Sequence, residues 1–133
     1  MKTLYNYVCD IFENDNLAEF NVQIDIHVNL DRSAHAEERQ TRHGELKGQI
    51  ISDEDIISSV KKCSKDIIKN IINNNIDVYG KKSRFIVRDK NTKLNIVCQA
   101  HKTDNPNVVN IDVVTVIRVN KFWNTKDNFT IVI

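Results

Sequence analysis

The run Ser33-Ala34-His35-Ala36-Glu37-Glu38-Arg39-Gln40-Thr41-Arg42-His43 holds two histidines and two arginines among almost no apolar side chains. On a helix each residue turns about 100°, so His35, Arg39 and Arg42 fall within an arc of roughly 60°. Arginine grips a phosphate through two parallel hydrogen bonds and stabilises charge that builds on phosphorus. Imidazole exchanges a proton near neutral pH. Together these groups suffice to cleave RNA without a metal. A base takes the ribose 2′-hydroxyl proton, the oxygen attacks phosphorus, and an acid protonates the departing 5′-oxygen, which leaves a 2′,3′-cyclic phosphate. The competing reading is a solvated helix laced by Glu38–Arg42 pairs.

Further polar residues extend this reading. The strand pattern puts Arg84, Arg88, Gln99, His101 and Arg118 at polar-facing or end positions, where they form a basic surface if the faces align. Lys62, Lys82 and His43 are further candidates for substrate contacts, and Lys121, Phe122 and Trp123 offer charge and a stacking surface. Other chemistries find less support. There is no His-Glu-x-x-His, no conspicuous carboxylate cluster and no glycine-rich phosphate loop, because the three glycines are scattered. No metal and no cofactor are therefore expected.

These side chains must be positioned by 133 residues with 41% hydrophobic and 28% charged content, enough for one core and one domain over residues 1–133. A net charge of +1 argues against binding nucleic acid by bulk charge and leaves room for a local patch. Cys9, Cys63 and Cys98 are far apart and odd in number, which predicts free thiols in a reducing cytoplasm. No membrane contact is expected, since no stretch approaches the roughly 18–20 apolar residues of a span. The start lacks the long apolar run of a signal peptide.

The apolar spacing at Leu4, Tyr5, Val8, Ile11 and Phe12 predicts an N-terminal helix. From Phe20 to Leu30 strict alternation predicts a half-buried strand with His27 on its wet side. A polar helix follows over Ala34 to His43. A second, apolar-striped helix starts at the capping box Ser52-Asp53-Glu54-Asp55 and closes at Asn73-Asn74-Asn75. Ser83 to Arg88, Lys93 to His101, Val109 to Val119 and Phe129 to Ile133 then read as strands joined by turns. The expected architecture is α+β: a helix and strand, two helices, then a three- to four-stranded antiparallel sheet with helices on one face.

The run Ser33-x-His35-x-x-Glu38-Arg39-x-x-Arg42, followed by Ile51-Ser52-Asp53-Glu54 at a helix start, resembles the RegB-like phage endoribonucleases and the neighbouring RelE-like small RNases. The likeness covers roughly residues 31 to 119. It implies metal-free RNA cleavage centred on histidine in the host cytoplasm, with an antitoxin or host protein as a further partner, by a monomer or weak dimer. It matches His35 to the family's first catalytic histidine and Arg39 to its neighbouring arginine. The family's second histidine lies on the next helix, where this chain reads Ser59-Val60-Lys61-Lys62. Lys61, His43 and His101 are the candidates to replace it, with His101 preferred as acid and Lys61 as electrostatic support. The alternative is a degenerate RNase-like module that binds RNA or a host protein without cleaving.

Overall fold

The structure is a computed structural model that describes residues 2–12, 23–41, 50–78, 83–119 and 129–133. Its elements run β1 (Lys2–Phe12), β2 (Gln23–Arg32), α1 (Ala34–Thr41), α2 (Asp53–Lys62), α3 (Ser64–Ile72), β3 (Arg84–Arg88), β4 (Leu94–Lys102), β5 (Val108–Arg118) and β6 (Phe129–Val132). The strands form one six-stranded sheet in the order β1-β2-β5-β4-β3-β6. The pairs β2–β5 and β3–β6 are parallel, and the others are antiparallel.

The α+β class holds, but the sheet is six-stranded and mixed, not a three- to four-stranded antiparallel one. The N-terminal segment, expected as a helix, is an edge strand. It pairs with β2 from Lys2↔Arg32 to Phe12↔Gln23, with a register shift between Thr3 and Tyr5. Tyr5, Tyr7 and Cys9 stand opposite Leu30, Val28 and Ile26 on the helix-covered side, where Cys9 and Tyr7 pack into the core and Tyr5 stays exposed, whereas Val8 is on the other side. The bulge at Leu4 and apolar residues on both faces imitate helical spacing. β2 joins the main sheet between β1 and β5, because alternation reveals a buried face and not the neighbour that covers the edge.

The long striped helix is broken at Cys63. The Ser64 hydroxyl donates to the Val60 carbonyl at 3.0 Å, the acceptor that a continuous helix would give to the Ser64 amide. The Ser64 proton is thereby committed, so the Tyr7 hydroxyl donates to Ser64 Oγ at 2.6 Å and ties β1 to the break. At the start of α2 the capping box is present as expected, with Asp55 N–H on Ser52 Oγ and Ser52 N–H on the Asp55 carboxylate. Asn74, with φ 63°, turns the chain out of α3.

Ala36 of α1, Ile56 and Val60 of α2, and Ile67 and Ile68 of α3 share one core with Val28, Leu30, Phe85, Ile96, Ile111 and Val113 of the sheet. All three helices therefore cover the same face. Burial pushes the Cys63 thiol up to about 12, raises Cys98 well above its ordinary value and raises Cys9. The thiolate is the reactive form, so at pH 8 Cys63 in the native protein should react with a disulfide reagent about 10³-fold more slowly than in the urea-unfolded chain. Equal rates in the two states would contradict this burial.

Candidate active site

α1 is docked by a polar network. Ser33 caps it, accepting from the Ala36 amide at 3.0 Å and donating to the Val114 carbonyl at 2.9 Å on the β5 bulge. Ala36 and Gln40 form its buried side. The buried Arg32 donates through Nη1 to Gln40 Oε1 at 2.9 Å and to Asp53 Oδ1 at 2.6 Å, and its Nη2 lies 3.6 Å from Glu37. Gln40 Nε2 in turn donates to Asp53 Oδ1 and to the Ile51 carbonyl. β2, α1 and the α2 start are thus joined by one charge-assisted cluster, which explains how a helix with so little apolar surface is held. His35 is exposed on this helix and Arg39 is half-buried.

Lys61 lies at the far end of α2, with its ammonium 5.3 Å from the Tyr5 ring centroid and 5.8 Å from that of Tyr7. Both rings belong to the helix-covered face. Lys62 and Arg118 line a pocket of about 210 Å³ with Asp55, Ser58, Asp89 and Thr92. Arg118 was expected among the polar-facing residues. It stands opposite Leu94, on the helix-covered side, with Nη2 3.5 Å from the Asp55 carboxylate. Arg42, His43, Lys82, Lys121, Phe122 and Trp123 lie outside the described residues.

His101 is on the other face. It pairs with Asn110 of β5, which pairs in turn with Asn29 of β2. His35, Arg39 and Lys61 belong to the helix layer and His101 to the opposite side of the sheet, so the structure does not bring these four together. What it does assemble is a different group around His101. His101 Nε2 lies 2.7 Å from Asp112 Oδ2, with the histidine side chain 42% exposed and the carboxylate 13% exposed. At that distance Nε2–H donates to the carboxylate, and Nδ1 is the ring nitrogen not engaged by Asp112. Gln99 faces both Asp112 and Arg84 across its two strand neighbours, and its amide donates to Ser83 Oγ at 3.1 Å. Arg84 is therefore the diagonal neighbour of His101, with Cα atoms about 7–8 Å apart, within reach of long side chains. Asn29 Nδ2 donates to Asn110 Oδ1 beside them, and His27 is exposed further along β2.

The group offers an oriented imidazole, a carboxylate that holds it, and a guanidinium able to bind an anion. Sequence reasoning reached His101, Gln99 and Arg84 and missed Asp112. The signal was present as alternation inside the apolar strand: Asn110 and Asp112 interrupt Val109, Ile111 and Val113 at every second position.

Comparison of the chain with protein-family models, with curated proteins and with solved structures finds no match. The resemblance to phage RNases rests on the Ser33–Arg42 run, the helix start at Ile51–Glu54 and the order of elements read from the sequence. Among the described residues no three His, Cys, Asp or Glu side chains are grouped to hold a metal ion, and no helix is long and apolar enough to cross a membrane.

Proposed function

We propose that the outer face of the sheet around His101 binds RNA and cleaves it without a metal. The observation that carries this reading is the 2.7 Å His101–Asp112 pair, partly open to solvent and one diagonal step from Arg84. In this mechanism His101 Nδ1 takes the ribose 2′-hydroxyl proton, and Asp112 holds the ring through Nε2–H and stabilises the imidazolium that forms. The 2′-oxygen bonds to phosphorus, and Arg84 holds a non-bridging oxygen as negative charge builds. The bond from phosphorus to the 5′-oxygen breaks, that oxygen takes up a proton from solvent, and a 2′,3′-cyclic phosphate remains. Gln99, Asn110 and Asn29 supply hydrogen bonds for sugar and base edges.

A non-cleaving RNA-binding module is the second reading, and the separation of His35, Arg39 and Lys61 from His101 favours it. The two are distinguished by incubating end-labelled single-stranded RNA with the protein in EDTA and identifying the product ends. Cyclic-phosphate or 3′-phosphate ends are expected. Retention of intact RNA in a stable complex would establish the binding module, and 5′-phosphate ends appearing only in a parallel incubation with magnesium would exclude both.

A further inference from the structure

The geometry points to the free edge of β1 as a docking site for an acidic, extended segment of another protein, which would add to the sheet as a further strand. In the sheet of described residues β1 has β2 on one side and no strand on the other, and it runs for 11 residues. Lys2, Thr3, Tyr5, Asn6, Val8 and Asp10 are exposed along it. An edge strand presents a row of backbone N–H and C=O groups, and natural proteins blunt long edges unless something pairs with them. The hydrophobic side chains Tyr5 and Val8 are 42% and 49% exposed here, on opposite faces of the strand.

A groove of about 310 Å³ runs beside this edge, lined by Tyr7, Val8, Asp10, Lys61, Ser64 and Lys65. An extended chain paired with β1 places every second side chain on the helix side of the groove, where the exposed Lys61 and Lys65 stand, and the others on the strand face of Val8, which also lines the groove. The matching segment alternates carboxylates with apolar residues. Charge also decides against a second copy. Antiparallel pairing of two β1 strands about a twofold axis puts both helix layers on the same side of the joined sheet. Lys61 and Lys65 of each copy would then crowd at one junction, and like charges there oppose association.

The test uses the full chain and two blocked peptides, one alternating glutamate with valine and its lysine-for-glutamate counterpart. Binding is read by fluorescence anisotropy, and its position by amide hydrogen exchange. The glutamate peptide should bind more tightly and slow exchange in β1. The double substitution Lys61→Glu with Lys65→Glu should weaken it by at least about tenfold, which is 1.4 kcal/mol. Equal binding of the two peptides to the unsubstituted protein, or protection away from β1, would overturn the proposal. So would a dimer in sedimentation that itself protects β1, because a second copy would then hold the edge.

Discussion

His101→Ala should lower the rate of RNA cleavage by about 10²- to 10⁴-fold, the usual contribution of a positioned proton-transfer group. The protein should stay folded, because the His101 side chain is 42% exposed and, among the described residues, its ion pair is with Asp112. Asp112→Asn keeps the size of the side chain and removes the charge that stabilises the imidazolium. Its effect should fall on kcat, with RNA affinity nearly unchanged, because the carboxylate touches the histidine and not the phosphate. Arg84→Lys should also lower kcat more than affinity, since charge remains and the planar fork is lost. His35→Ala should cleave as the unsubstituted protein does, because His35 is in the helix layer and His101 is on the opposite face. The measurement is single-turnover cleavage of end-labelled RNA in EDTA beside a binding titration. Full activity in His101→Ala, or its loss in His35→Ala alone, would move the chemistry from the outer face to α1.

Phe85→Ala should destabilise the fold by about 3–5 kcal/mol, the range for removing a large buried aromatic side chain. Phe85 is fully buried and stands between Cys98 of β4 and Phe129 of β6. A domain of this size is stable by about 5–15 kcal/mol, so this single change removes a large share of the total. The midpoint of urea unfolding should fall accordingly, with an unchanged slope if both end states stay the same. Phe85 also bears on the site, because Arg84 next to it faces the other side of the sheet. A loss under about 1 kcal/mol would mean that the core closes over the gap, against the expectation for a close-packed interior.

The sheet expected beside the resemblance, three to four antiparallel strands, gives way to six strands with mixed pairing. The motif Ser33-x-His35-x-x-Glu38-Arg39 coincides with a helix whose placement has a different explanation, the cluster of Arg32, Gln40 and Asp53. Nothing near Arg32 and Gln40 in the sequence marks them as buried, because burial of a charged or polar group depends on partners far along the chain. Asp53 is 21 residues from Arg32. By contrast, the core-facing residues of β3 and β4 were legible, although Ile86, Arg88, Asn95 and Val97 on the other face, expected as a polar surface, are also buried. Phe85 and Val87 face the core opposite Arg84, Ile86 and Arg88, and Leu94, Ile96, Cys98 and Ala100 face it opposite Asn95, Val97, Gln99 and His101.

By itself the sequence determined the features that depend on neighbours a few residues away. These are the side-chain parity of β2, β3 and β4, the Ser52–Asp55 capping box, and the turn at Lys90-Asn91-Thr92, where the Asp89 carboxylate accepts from the Asn91 and Thr92 amides. Each is decided by a repeat of two, a spacing of three or a hydrogen bond over two or three residues, so the pattern carries its own physics. Only the tertiary structure decided that Lys2–Phe12 is a strand, that β2 lies parallel to β5, and that Asp112 stands beside His101. Those outcomes depend on pairing between residues 11 to more than 80 positions apart, such as Asn29 with Asn110, and on which sheet face the helices cover. Local preference cannot encode such pairings, because an edge strand gains its hydrogen bonds, and a polar side chain its partner, only when the distant strand arrives.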